Sequence, residues 1–143
     1  MTQQIFDLSG KVAVITGGSR GLGFEMAKAF ADAGAKVVIA SRKLEQCEQA
    51  AEAITRNGGN ALPVACHVGQ WSQVEQLMDT VYNEFGKLDI LVNNAGMSPR
   101  YDTVDEVTEA LFDKVIDVNL KGPFRLCALA GKRMAAGDGG SII

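Results

Sequence analysis

Short runs rich in β-branched residues alternate with segments of helical period along the whole chain, and that order is the strongest constraint on its fold. "KVAVIT" (11–16), "KVVIA" (36–40), "ALPVACHV" (61–68) and "LDILVN" (88–93) read as strands. Between them lie "GLGFEMAKAFADAG" (21–34), "KLEQCEQAAEAITRNGG" (43–59) and "WSQVEQLMDTVYNEF" (71–85). In the first helical segment Leu22, Met26, Phe30 and Ala33 share one face. The second turns Leu44, Cys47, Ala51 and Ile54 inward, and the third Val74, Leu77, Met78, Val81 and Phe85. A helical stretch over 108–135 and a closing "GGSII" complete the series. Strands joined by helices pair in parallel, with helices over both faces, and such strands are continuously apolar. Right-handed crossovers from a central first strand, reversing after the third, predict an α/β fold: a doubly wound parallel sheet of order 3-2-1-4-5. Pro63 suits the third strand to a sheet edge. The fifth strand is only begun by Ser141, Ile142 and Ile143, so the sheet is expected to be incomplete there.

Charge and composition exclude several classes of function. The formal net charge is −3 and no run of Lys and Arg occurs, which argues against a nucleic-acid partner. No apolar run is long enough to cross a bilayer, so no membrane partner is expected. "MTQQIFDLSG" lacks the basic start and apolar core of a signal peptide. Cys47, Cys66 and Cys127 form no C-x-x-C pair and no metal-ligand spacing; they read as reduced thiols of a cytoplasmic protein without a metal site.

A sheet of this order binds ligands at the carboxyl ends of strands 1 and 4, where the order reverses. Two glycine-rich turns, "TGGSRGLG" (16–23) and "NNAG" (93–96), fall there. Gly17 allows a tight turn, while Gly21 and Gly23 let a ligand approach the backbone. The helix that follows starts with unpaired N–H groups and partial positive charge, which suits a phosphate. The spacing is not G-x-G-x-x-G, because Met26 stands at the third position, and no Gly-Lys-Ser/Thr follows. Taken alone, the turn also reads as a plain strand–helix connector.

Three landmarks in order, "TGGSRGLG", "NNAG" and "DVNLKG" (117–122), resemble the short-chain dehydrogenase/reductase family. That family carries T-G-x-x-x-G-x-G after strand 1, N-N-A-G after strand 4 and an Asn in its fourth main helix. The resemblance runs from Gly10 to Ile143. It implies one partial NAD(P)-binding Rossmann domain over residues 1–143. It also implies a nicotinamide-dependent oxidoreductase, homo-oligomeric when complete, acting on a small-molecule carbonyl or alcohol. The cofactor residues it implies are Gly17, Ser19, Arg20, Gly21, Leu22 and Gly23 in the first turn and Asn93, Asn94, Ala95 and Gly96 in the second.

Strand 2 of a dinucleotide fold ends in an acid when the ribose 2′-OH of NAD is read. Here it ends "IASRK", with Ser41 and Arg42 and no carboxylate. Arg20 and Arg42 would meet a 2′-phosphate with charge-assisted contacts, each about 1.5–3 kcal/mol. The resemblance points the same way, so NADP is expected ahead of NAD; two merely solvated arginines are the competing reading. After strand 3 the family has Asp-Val near the adenine amino group, whereas this chain has Cys66-His67-Val68. His67, if neutral, would accept a hydrogen bond from the adenine amino group, with the backbone at Val68 contributing. It is placed on the pocket wall or surface and not among the catalytic residues.

In the long helix Val115, Ile116, Leu120, Phe124 and Leu126 form an apolar side. Pro123 has no N–H for the carbonyl of Asn119, so a break with that carbonyl free is expected there. The resemblance gives Asn119 a catalytic part, holding a water that relays protons; a plain bend around the core stands level with it. The family's Ser and Tyr-x-x-x-Lys come after strand 5. Neither tyrosine here has the spacing, since Gly86 follows Tyr82 and Asp105 follows Tyr101 by four places. Three readings follow. One is an N-terminal fragment of an NADP-dependent oxidoreductase, inactive alone; the second is a stand-alone dinucleotide-binding or regulatory module; the third is a remnant without function. Retention of Asn119 and "NNAG" favours the first.

Overall fold

Five parallel strands form one sheet in the order β3-β2-β1-β4-β5, the order expected from the sequence. The computed structural model describes residues 6–143. The reading of the amino terminus against a signal peptide rests partly on residues 1–5, which lie outside the described residues.

The central strand β1 (Val12–Thr16) is buried along its whole length. It pairs with β2 (Lys36–Ser41) from Val12–Lys36 to Thr16–Ala40, and on its other side with β4 (Ile90–Val92). Strand β3 (Asn60–Ala65) takes the edge beside β2, where Pro63 is tolerated. It stops before Cys66, so Cys66–Val68 belong to the following connection and not to the strand. Strand β5 (Ser141–Ile142) has two residues, paired with Ile90 and Leu91.

Alternation along β1 divides the core between two faces. Ala13 and Ile15 face helices α1 (Gly21–Asp32) and α2 (Leu44–Arg56). Val12 and Val14 face α3 (Trp71–Phe85) and α5 (Gly122–Ala135). The α3 stripe is the expected one, with Val74, Leu77, Met78 and Val81 buried. Helix α1 differs. It buries Gly23, Ala27 and Ala31, at every fourth residue, while Leu22 is 72% exposed. Small residues let the helix axis approach the sheet closely, and the larger Met26 and Phe30 pack at the margin. Leu44, expected inward, is likewise exposed at the start of α2.

The stretch expected as one long helix is three. Helix α4 (Glu109–Ile116) begins with Thr108 accepting the Leu111 N–H (3.1 Å). A π-helical turn follows at Asp117–Lys121, closed by the Gly122 N–H donating to the Asp117 carbonyl, and α5 continues from it with Pro123 in its first turn. The interruption thus lies where the sequence predicts a kink, but as a widened turn with right-handed helical dihedrals. Widening rotates the phase of the helix. Ile116, Leu120 and Phe124 are exposed, and Val118, Leu126, Ala130 and Met134 take the buried side.

Ion pairs fix the amino end of the sheet and the α3–α5 contact. Asp89 accepts the Val12 N–H (2.8 Å) and lies 3.0 Å from Lys87 and 3.8 Å from Lys11. Burial pushes its carboxyl pKa up, but the Val12 N–H and the two lysines together outweigh burial and hold it below the usual value. Arg125 pairs with Glu75 and lies over Trp71 (4.6 Å). Arg133 pairs with Asp79 and lies over Tyr82 (4.7 Å).

Candidate functional site

The carboxyl end of the sheet is organised by one hydroxyl. Thr16, buried at the end of β1, accepts N–H bonds from Asn94 (3.1 Å) and Ala95 (3.0 Å) and donates to the Val92 carbonyl (3.3 Å). The Asn94 amide donates in turn to the carbonyls of Thr16 (3.0 Å) and Gly17 (3.3 Å). The two glycine-rich turns are thereby tied together. Gly17 has φ +63°, a left-handed conformation that side chains rarely adopt. A Cβ on Gly23 would collide with the Gly17 carbonyl and the Asn94 amide. The missing side chain of Gly23 therefore serves packing between the two turns.

Beside these turns lies a cleft of about 510 Å³. The first turn contributes Gly17, Ser19, Arg20, Gly21, Leu22 and Gly23 to its wall; β2 and its continuation contribute Ser41, Arg42 and Lys43. His67 and Val68 come from the β3–α3 connection, Asn94, Ala95 and Gly96 from the second turn. Of the residues expected to bind cofactor, only Asn93 is off this wall. Its amide donates to the Ile143 carbonyl (3.3 Å) and the Cys127 sulfur (3.5 Å). It lines an adjoining hollow with Ser98, Asn119 and Pro123.

Asn119 acts through its side chain. Its Oδ1 accepts the Met97 N–H (2.8 Å) and its Nδ2 donates to the Met97 carbonyl (2.8 Å). This two-point clamp fixes the segment after "NNAG" to the π turn. The sequence marked the Asn119 amide as a polar group in need of partners, and Met97 is the partner it did not name.

At His67 the structure changes the expected chemistry. Nδ1 already accepts the Gly69 N–H (3.1 Å), so in the neutral ring the proton sits on Nε2. The free nitrogen donates and does not accept, which removes the expected bond from an adenine amino group to this ring. Ser41 Oγ lies 3.1 Å from the buried Cys47 sulfur, which holds the hydroxyl at the cleft. Burial, with the neighbouring Cys47, pushes the Cys66 thiol up to about 11, so it is neutral at ordinary pH.

Sequence reasoning missed six wall residues: Lys43, Gln46, Cys66, Met97, Lys114 and Val118. Two are cations, and they complete a one-signed lining. Arg20, Arg42, Lys43 and Lys114 line the cleft, and no carboxylate does. None of the four side chains has a hydrogen-bond, ion-pair or ring partner among the described residues. Among the described residues seven Lys and Arg pair with carboxylates, and all seven lie outside the cleft. Helix α1 opens onto the same space with no acid in its first turn and no side-chain cap. The arrangement offers unspent positive charge and backbone N–H groups to an anion.

Comparison with known proteins agrees. The family described as short chain dehydrogenase matches residues 11–143. The chain is 35% identical over 136 residues to human dehydrogenase/reductase SDR family member 4, covering 95% of this chain and 49% of that protein. It is 43% identical over 138 residues to an uncharacterized oxidoreductase of Methylorubrum extorquens, covering 95% and 54%. A putative short-chain alcohol dehydrogenase from Sinorhizobium meliloti superposes with TM-score 0.90 at 39% identity, covering 96% of this chain and 54% of that one. A metagenomic short-chain oxidoreductase solved in complex with NADP superposes with TM-score 0.91 at 35% identity, covering 94% and 61%. The chain spans about half the length of the curated relatives it matches. With a profile match over nearly its whole length, this sheet order and these turns, the chain belongs to the short chain dehydrogenase family.

Proposed function

We propose that the chain supplies the dinucleotide-binding half of an oxidoreductase that uses NADP(H) ahead of NAD(H) on a small carbonyl or alcohol. The observation that carries this is the set of four unpartnered cations around a cleft without a carboxylate. An NAD site of this fold places an acid where Ser41 and Arg42 stand. The related structure in complex with NADP supports the same cofactor. Arg20, Arg42 and Lys43, with the Ser41 hydroxyl, would hold the 2′-phosphate. The turn Gly17–Gly23 and the start of α1 would hold the diphosphate, while His67 and Val68 would flank the adenine. Asn94, Ala95 and Gly96 would support the nicotinamide side, with Asn93 behind them. When bound, the dinucleotide supplies hydride transfer. Asn119, by clamping Met97, fixes the backbone beside that end of the site.

No Tyr-x-x-x-Lys occurs in the 143 residues, so by themselves they are expected not to transfer hydride at a measurable rate. Three cysteines without a disulfide suit a reducing compartment such as the cytoplasm. The test is calorimetric titration with NADP+ and NAD+. The expected result is tighter NADP+ binding, with Arg42→Ala weakening it about ten- to a hundredfold and leaving NAD+ unchanged. Equal affinities in the unmodified chain defeat the cofactor assignment.

A further inference from the structure

Three of the four cleft cations belong to one side of the sheet. Arg20 precedes α1, and Arg42 and Lys43 precede α2; both helices pack on the face built around Ala13, Ile15 and Ile39. Lys114 comes from the other side. It lies on α4, one turn before Val118, which packs with Val68 on the face built around Val12 and Val14. Lys114 and Val118 both line the cleft. Lys114 therefore reaches the cleft from the helices of the face opposite those that carry the arginines.

Its neighbours leave it free. Asp117, three residues on, is within reach of a helical pair but is taken by Lys121 at 2.6 Å. Asp113, adjacent in sequence, projects from a different side of the helix. No carboxylate approaches Lys114 among the described residues. An unpaired cation at the mouth of an acid-free cleft attracts whatever anion enters.

We infer that Lys114 is a further cofactor-contacting residue, closing from the α4 side on the diphosphate, the anion shared by both dinucleotides. The inference rests on the proposed dinucleotide site. It differs in consequence from the assignment of Arg42. A contact to the 2′-phosphate separates NADP from NAD, whereas a contact to the diphosphate strengthens both.

The experiment is titration of the full chain with NADP+ and with NAD+, comparing Lys114→Met, Lys114→Arg and the control Lys132→Met. Lys132 likewise has no side-chain partner among the described residues and does not line the cleft. Lys114→Met is expected to weaken both dinucleotides about five- to tenfold, keeping their ratio, and to lower the salt dependence of binding. Lys114→Arg should retain most of the affinity, and Lys132→Met should match the unmodified chain. Unchanged affinities in Lys114→Met overturn the inference, as does a loss confined to NADP+ or an equal loss in Lys132→Met. If the unmodified chain binds both dinucleotides equally but Lys114→Met weakens both, the NADP preference fails and the role of Lys114 stands. If it binds neither, both fall.

Discussion

The two ends of the sheet use the same charged residue types to opposite effect. At the amino end, Asp89 is enclosed by the Val12 N–H, Lys87 and Lys11, so its charge is satisfied within the protein. At the carboxyl end, Arg20, Arg42, Lys43 and Lys114 surround a cleft and have no side-chain partner among the described residues. Pairing at one end contributes to stability. Withholding pairs at the other leaves like charges near one another, a small cost to the empty fold that a bound anion would reverse. A charged residue's job is thus read from its partners before it is read from its type.

Substitutions at the two ends should separate accordingly. The largest effect is expected at neither charge set but at the packing that joins the turns. Gly23→Ala drives a Cβ into the Gly17 carbonyl and should cost about 3 kcal/mol of unfolding free energy, together with dinucleotide affinity. Urea melts of the variant within 0.5 kcal/mol of the original, roughly the scatter of neutral surface changes, would show that the turns can move apart. Next is Asp89→Asn, expected to lose about 1.5–3 kcal/mol at neutral pH while leaving binding intact. The folded-state pKa of Asp89 is lowered, so its contribution is present above the unfolded value and disappears as pH falls through the folded one. The gap between Asp89→Asn and the original should therefore close below about pH 4. A gap constant from pH 7 to 3 would mean that shape, not charge, matters there. The smallest effect on stability is expected for Arg20→Met with Lys43→Met. Their removal should change unfolding free energy by under about 0.5 kcal/mol, with any change toward greater stability, while NADP+ affinity falls. A loss of more than about 2 kcal/mol would place hidden partners on these side chains and erase the contrast between the ends.

Strand order and the positions of the two turns were legible because they depend on pattern. Continuous apolar strands, intervening helices and the handedness of crossovers leave few topologies. The α3 stripe was legible for the same reason, since its large apolar residues are the ones buried. Helix α1 was misread because small residues mark close approach better than hydrophobicity does: Ala27 and Ala31 are buried and Leu22 is not. The long helix was misread because periodicity assumes a constant turn and does not reveal the π turn at Asp117–Lys121. In the cleft, residues near the glycine turns could be named from sequence. Lys43, Gln46 and Lys114 could not, because position on a wall depends on how helices from opposite faces meet. The acceptor role expected of His67 failed for a local reason, the Gly69 N–H two residues away.

The Thr16 hydroxyl has a consequence for motion. One oxygen receives the Asn94 and Ala95 amides and reaches back to Val92, and the Asn94 side chain spans to Gly17. Neither turn can swing open while the other stays closed, because the same oxygen restrains both. Fluctuations of the cleft are thereby collective, with one opening event in place of two independent ones. An anion that ordered the first turn would order the second as well, so rigidity gained at one turn would reach the other without any contact there.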